Sequence, residues 1–206
     1  MRLLACIGFL LLPTVTAPQT GPESWAARDS HEGLTVAADL YDTEARSRQR
    51  FGKKHPYAAG LVAIEVLFHN QNDYAIRVLL QEIRLILSPP GRDRQRLAPL
   101  AFETVLDRLL EEKLPDARRK TYPVPIGRPR NPRNKEWEKR KTELQPLVLE
   151  MDVIPPRATV RGFLFFDVNG QFDWLADARL YLPELVLLPS NKPLLFFELT
   201  LKPSDK

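Results

Sequence analysis

The feature that most constrains this fold is an alternation of apolar and other residues with a period of two. It is clearest in Val62, Ile64, Val66 and Phe68. Successive side chains of a strand point to opposite faces, so such a run buries one face of a sheet. Comparable runs occur at 34–41, 76–87, 178–188 and 194–201. We therefore predict about seven or eight strands that form an antiparallel β-sandwich, with a closed barrel as the alternative.

Two places modify this pattern. The apolar phase slips between Val78 and Ile83, which predicts a bulge or bend near Gln81-Glu82. Residues 160–168 are apolar on both faces, which predicts a central strand that is covered on both sides. Asn169-Gly170 follows directly and favours a two-residue hairpin turn.

Residues 102–114 depart from the strand pattern. Apolar residues recur there at three- and four-residue spacing, and charged residues occupy the opposite face, up to Pro115. This spacing predicts one amphipathic helix whose apolar side packs on the sheet, with partner binding as the alternative. Residues 115–146 follow, with six prolines and ten basic residues. We predict a flexible basic insertion there, with a short helix from Asn131-Pro132 through Trp137 and a Glu136–Arg140 pair.

The net charge of +4 is concentrated in the insertion and in a second basic stretch at 43–56. Arginines bind phosphates and carboxylates through forked hydrogen bonds, and aromatic rings add stacking. The candidate binding residues for an anion or a partner are Arg118, Arg119, Lys120, Arg128, Arg130, Arg133, Trp137 and Arg140. The alternative interpretation is two solvated loops, 43–56 and 116–145, that have no partner.

The first residues predict export. Arg2 precedes an apolar run from Leu3 to Leu12, which is too short to span a bilayer. We predict a signal peptide at 1–17, with cleavage as late as residue 26, and a single domain at 30–206 that is periplasmic or extracellular and lacks a membrane span. Cys6 is the only cysteine. The mature chain is therefore free of disulfides and of thiolate metal sites.

No catalytic motif stands out. His31, His55 and His69 lie on separate segments, and the sequence has neither a nucleophile elbow nor a phosphate loop. The run Asp167–Asp173 resembles part of a calcium loop, although a turn explains it with fewer ligands. Asp39 and Glu65 would support acid–base chemistry only if they converged in a cleft. We predict a protein without enzymatic activity or cofactor.

One resemblance supports this view. The chain reads V-x-I-x-V-x-F-x-N from Val62 to Asn70, and later has Ile154-Pro155-Pro156 followed by Gly162-Phe163-Leu164-Phe165-Phe166. This order resembles exported bacterial immunoglobulin-like domains of undefined function, which usually have Pro-Gly where this chain has Pro156-Arg157. The resemblance implies an immunoglobulin-like β-sandwich and no enzyme chemistry, and it assigns no functional residues.

The function expected from the sequence is that of an exported interaction or accessory module that uses its basic loops. Its partner would be an anionic surface polymer or an acidic protein, because export disfavours nucleic acid. A binding protein for an anionic glycan or another anionic ligand is the alternative, through the same arginines and an aromatic ring.

Overall fold

The computed structural model describes residues 25–110 and 132–203, with side chains at all of these positions except 132–134. These residues are mainly β, with twelve strands in three antiparallel sheets of four. Sheet A has the order β1-β2-β3-β8 and contains the longest strands. Its strands are β1 (Ala27–His31), β2 (Leu34–Tyr41), β3 (Leu61–Asn70) and β8 (Thr159–Asp167).

The other two sheets are two halves of one layer. The strands of sheet B are β4 (Ile76–Val78), β7 (Val153–Ile154), β10 (Leu185–Leu187) and β11 (Lys192–Pro193). The strands of sheet C are β5 (Arg84–Leu87), β6 (Gln95–Leu97), β9 (Arg179–Leu182) and β12 (Phe197–Thr200). The spatial orders are β11-β10-β4-β7 in sheet B and β12-β9-β5-β6 in sheet C. Three strands of sheet B occupy the same position as a strand of sheet C that neighbours them in the chain; the pairs are β11 and β12, β10 and β9, and β4 and β5.

The break between these halves confirms the predicted bend. A 3₁₀ turn at Leu80–Glu82 separates β4 from β5, and Pro183-Glu184 separates β9 from β10. A proline supplies no backbone N–H to a ladder, so a strand is readily interrupted there. These interruptions explain why the number of strands exceeds the seven or eight expected from the sequence.

The main core lies between sheet A and the other two sheets. It joins the inner faces of β2 and β3 to those of sheets B and C, with Phe68, Phe166 and Phe197 fully buried. The alternating residues Val62, Ile64, Val66 and Phe68 all belong to this core, as predicted. Each such side chain stabilises the fold by about 1.5–3 kcal/mol relative to its exposed state.

Three helices cover part of the outer face of sheet A. They are α1 (Glu44–Phe51), α2 (Phe102–Leu110) and α3 (Pro132–Leu144). The apolar stripe of α2 packs with Phe51, Leu144, Phe163 and Phe165, which confirms its burial against the sheet. The prediction of one amphipathic helix is therefore incomplete, because α1 was expected to be a loop and α3 only a short helix within a flexible insertion.

Two details of the strand prediction are wrong. The strand β8 is covered on both faces, by the main core and by the helices, but it lies at the edge of sheet A. Asn169 and Gly170 have the expected positive φ angles of 49° and 74°. However, the chain crosses from β8 in sheet A to β9 in sheet C, so this turn does not form a hairpin.

The basic stretch at 43–56 contains the capped helix α1. The Thr43 hydroxyl accepts a hydrogen bond from the Arg46 N–H at 3.4 Å, and Gly52 ends the helix at a φ of 79°. Phe51 anchors the helix in the second cluster. The C-terminal part of the predicted insertion is also ordered as α3, which is longer than the short helix expected from Pro132 through Trp137.

Candidate functional site

The described parts of the two basic segments predicted from the sequence come together in the fold. Residues 53 and 54 follow α1, and they lie beside α3. The Lys54 ammonium donates to Glu136 at 2.6 Å, although 82 positions separate the two residues. Glu136 therefore pairs with a lysine outside its helix, where the sequence predicted Arg140. The hydrogen bond and the positive charge of Lys54 lower the pKa of Glu136.

Arg140 forms the bond that fixes this junction. Its Nη2 donates to the carbonyl oxygens of Phe51 and Lys54, both at 2.5 Å, and its Nη1 donates to Glu143 at 3.0 Å. The side chain is only 15% exposed. A guanidinium group suits this position because its donors are arranged as a fixed fork. Arg140 therefore acts as a structural link between α3 and the end of α1.

Trp137 also joins helices. Its indole N–H donates to Asp107 of α2 at 3.1 Å, and the Lys141 ammonium lies 5.1 Å from its ring centroid. The ring is half-buried. Trp137 thus contributes to helix packing, and its stacking on a ligand stays a prediction. Arg133 lies in α3, where its side chain is not described. The other predicted residues that lie outside the described ranges are Arg118, Arg119, Lys120, Arg128, Arg130 and the predicted signal peptide at 1–17.

A shallow cavity of about 230 Å³ lies at the junction of these segments. We call its surroundings the basic face, which consists of Lys53, Lys54, Leu110, Glu136, Lys139, Arg140 and Glu143. Four positive and two negative groups give this face a formal charge of +2. Lys53 is exposed, and the Lys139 side chain is 76% exposed. Leu110 is the residue from which the chain continues into the basic segment 111–131.

The register brings together the two carboxylates considered for acid–base chemistry. Asp39 and Glu65 are direct cross-strand partners of β2 and β3. Arg46 donates to both carboxylate oxygens of Asp39, at 2.6 and 3.3 Å, and the Tyr41 hydroxyl donates to Glu65 at 3.2 Å. Burial raises the pKa of Tyr41 to about 12, and the charges of Glu65 and Asp39 add to this effect.

This cluster holds α1 on the sheet. The Arg46 guanidinium lies 4.5 Å from the Tyr41 ring centroid and also donates to the Leu40 carbonyl at 2.6 Å. Burial opposes the charge of Arg46, but the hydrogen bond and the charge of Asp39 outweigh it, so the pKa of Arg46 is raised. Both carboxylates have a hydrogen-bonding partner from their own surroundings. The sequence identified Asp39 and Glu65 but could not indicate Arg46, since its approach depends on the cap at Thr43.

The other polar residues considered from the sequence have local roles. Asp167 accepts from the Asn169 N–H at 2.9 Å and also forms an ion pair with Arg108 of α2. His69 lies at the end of β3, within 2.8 Å of the Thr159 hydroxyl on β8. Within 25–110 and 132–203, no group of three or more His, Cys, Asp or Glu residues is arranged to hold a metal ion. Among the helices of 25–110 and 132–203, none combines the length and the hydrophobicity that spanning a bilayer requires.

Comparisons with known proteins add little. No protein-family model and no curated protein matches the chain. One similar solved structure is the crystal structure of a functionally unknown protein from Listeria monocytogenes EGD-e. The two share 12% sequence identity with a TM-score of 0.35, over 75% of this chain and 67% of that one.

Proposed function

We propose that this protein is a non-enzymatic, exported interaction module that binds an acidic protein through its basic face. The observation that carries the proposal is the meeting of two basic segments that are more than 80 positions apart, through Lys54–Glu136 and the Arg140 bonds. A solvated loop has no need for such a junction. The fixed junction places Lys53 and Lys139 on one surface, where a partner can contact both.

The neighbouring sequence extends this charge. The 21 residues of 111–131 contain six basic and three acidic residues, which gives a formal charge of +3. They continue directly from Leu110, which lines the basic face. The segment and the face therefore carry net charges of the same sign, and both add to the attraction of an acidic partner most strongly at low salt.

The absence of catalysis is part of the proposal. Arg46 and Tyr41 already hydrogen-bond to the paired carboxylates Asp39 and Glu65. A catalytic pair needs groups that are free to bind a substrate and exchange a proton. We therefore assign this cluster to the attachment of α1.

Export and an immunoglobulin-like relationship complete the proposal. Both proposed cleavage positions, 17 and 26, precede β1 at Ala27, so processing at either one leaves every described strand intact. The relationship is supported by strand order: β2-β3-β8 within sheet A is similar to the A-B-E order of immunoglobulin-like sandwiches, with β1 as an additional strand, and β12-β9-β5-β6 is similar to G-F-C-C′. Asn70, the last residue of the quoted motif, bonds to the carbonyls of Tyr74 and Pro155 at 2.8 and 2.9 Å and so fixes the crossing between layers.

The basic face is tested with immobilised poly-glutamate and with heparin. The variant Lys53→Gln/Lys139→Gln removes two exposed charges from the face, and Arg77→Gln/Lys192→Gln removes two from sheet B as the matched control. We expect the first variant to elute from poly-glutamate at clearly lower salt than the control, because the contact is electrostatic. A third variant neutralises five basic residues that precede α3 and leaves the sequence of α3 unchanged; these are Arg118, Arg119, Lys120, Arg128 and Arg130.

Equal elution salt for the face variant and its control would refute the proposed surface. Binding to heparin without binding to poly-glutamate would replace the acidic protein with an anionic glycan. Export is tested separately by the intact mass of the exported protein, since an uncleaved N-terminus at Met1 would contradict the signal peptide.

A further inference from the structure

The outer face of sheet C carries a second charged surface, remote in sequence from the basic face. Its core-facing residues include Leu85, Leu180 and Leu199, so the residues between them point away from the core. The outward residues of β5 and β9 include Arg84 and Tyr181, which are direct cross-strand partners. Arg96 of β6 is the partner of Ile86, and Glu198 of β12 is the partner of Tyr181. The register therefore brings arginines, an aromatic ring and a carboxylate together.

These side chains line a groove of about 350 Å³. This volume falls within the range of small-molecule sites. We call it the sheet C groove and define it by Arg84, Arg94, Arg96, Ile86, Tyr181, Glu82 and Glu198. Ile86 is only 8% exposed and provides an apolar floor. A groove with an apolar floor and several polar groups around it has the composition of a ligand site.

Some charged side chains of the groove have an ion-pair partner among the described residues and others do not. Arg84 donates to Glu82 at 3.0 Å and to the carbonyl of Ile83 at 2.9 Å, which fixes its position. Glu198 accepts from Arg179 at 2.8 Å. Arg94 and Arg96 are exposed, and neither forms an ion pair with any residue of the described ranges. Arg96 lies in β6 and Arg94 directly precedes this strand, and both line the groove, so two guanidinium groups are available there to bind an anion.

Tyr181 contributes an apolar surface next to these arginines. Its ring is partly exposed and lies 5.5 Å from the Phe196 ring, and Phe196 is itself 52% exposed. Such exposed aromatic surface is costly in water, and a ring-shaped ligand with a C–H face would cover it. The groove therefore combines an anion site with a stacking surface.

The two glutamates indicate what kind of anion fits. A group that places several negative charges inside the groove would be repelled by Glu82 and Glu198, because like charges at short range are unfavourable. A ligand with one negative group and several hydroxyls avoids this repulsion, since the hydroxyls donate to the carboxylates. A sugar acid has this combination of one carboxylate, several hydroxyl donors and an apolar ring face.

We propose that the sheet C groove binds a hexuronate, with its carboxylate on Arg94 and Arg96 and its ring on Tyr181. The hexuronate is either a free sugar acid or one unit of an acidic polysaccharide. The groove shares no residue with the basic face, so this inference is independent of the proposed function. Loss of poly-glutamate binding and loss of hexuronate binding would be separate results.

The test is calorimetric titration of the full chain with glucuronate, glucose and inorganic phosphate. We expect glucuronate to bind at least about tenfold more tightly than glucose, because only glucuronate offers a carboxylate to the arginines. Arg94→Gln/Arg96→Gln should weaken glucuronate binding by about tenfold or more, and Tyr181→Ala should also weaken it. Tyr181→Phe and the control Arg77→Gln/Arg92→Gln should stay within about twofold of the wild type.

Several outcomes would overturn the inference. Equal binding of glucose and glucuronate would exclude the anion site, and the absence of binding by either would exclude the groove as a sugar site. If phosphate binds as tightly as glucuronate and Tyr181→Ala leaves the affinity for phosphate unchanged, the groove is a simple anion site instead. Titration with a hexuronate trimer distinguishes the two sources of the ligand. A higher affinity for the trimer than for the monomer indicates a polysaccharide, and equal affinities indicate the free sugar acid. The arginine variants change exposed side chains and the Tyr181 variants change a partly exposed one, so the melting temperature of each variant verifies that it folds.

Discussion

Gly162 offers a sharp test of how the basic face is attached to the sandwich. It lies in β8, and a Cβ atom at this position would be 2.7 Å from the Leu149 nitrogen and 2.8 Å from the Leu149 Cα. Both are backbone atoms, so no rotation of a side chain relieves the contact. The segment that follows α3 must therefore move if residue 162 carries a side chain.

The magnitude of Gly162→Ala follows from three terms. Overpacking costs about 1–3 kcal/mol. Movement of Leu149 also weakens its 3.1 Å N–H bond to the Phe163 carbonyl, which is worth about 0.5–1.5 kcal/mol. In the opposite direction, alanine restricts the unfolded chain and stabilises by about 0.4–1 kcal/mol. These ranges sum to a net loss of about 0.5–4 kcal/mol, centred on about 2 kcal/mol, which corresponds to roughly 4–8 °C in melting temperature for a domain of this size.

Chemical denaturation measures this loss, and hydrogen exchange of the Leu149 amide locates it. Gly170→Ala is the matched control, because its Cβ would meet nothing within 4 Å and only its φ of 74° is unfavourable. It should cost about 1 kcal/mol and leave the Leu149 amide protected. If Gly162→Ala were as stable as the wild type, or more stable, the close approach of the two backbones would be refuted.

Three further predictions concern single side chains. Arg140→Gln should lower the free energy of unfolding by about 2–3 kcal/mol in denaturant, since two carbonyls lose a charged donor, whereas the exposed Lys139→Gln should change it by under about 0.5 kcal/mol. His55 is 1% exposed, its Nδ1 accepts the Ala58 N–H at 3.3 Å, and burial together with Arg48 lowers its pKa. Because the unfolded histidine takes up a proton first, stability should fall as the pH drops below about 6.5, and His55→Asn, which keeps an acceptor at this cap, should reduce that fall. The pKa of Tyr41 is raised to about 12, so stability should fall between pH 10 and 12, because the unfolded chain loses its phenolic proton first. Glu65→Gln should lower the pKa of Tyr41 toward its ordinary value, and an ultraviolet titration measures this change. An unchanged acid profile in His55→Asn, or an unchanged titration in Glu65→Gln, would contradict these assignments.

The sequence was sufficient where one local pattern determines the structure. The alternation in β3 and the three- and four-residue spacing in α2 both reflect burial of one face, and both elements form as predicted. The bend near Gln81-Glu82 was visible because the apolar phase changes there. Such signals depend only on neighbouring residues.

The sequence was insufficient where contacts between distant residues determine the structure. Only Phe51 anchors α1 in the apolar cluster, and α3 is polar over most of its surface, so neither helix has a clear apolar stripe. These helices are held by long-range contacts such as Arg140 to the Phe51 carbonyl. The sheet C groove was missed for the same reason, since only the β5–β6 and β5–β9 registers bring Arg96 and Tyr181 together. The signal peptide, the domain limits and the partner stay predictions.

The interrupted second layer has a consequence for how this fold tolerates length changes. Inserting one residue into an unbroken strand exchanges every later side chain between core and solvent. Here the 3₁₀ turn at Leu80–Glu82 and the Pro183-Glu184 step separate each inner strand into two short ladders. An added residue at either point is absorbed by the turn, so the phase of β5 is independent of that of β4. Because of these breaks, a length change in one half leaves the strand phase of the other half unchanged. The surface residues of sheet C can therefore vary without altering the core-facing residues of sheet B.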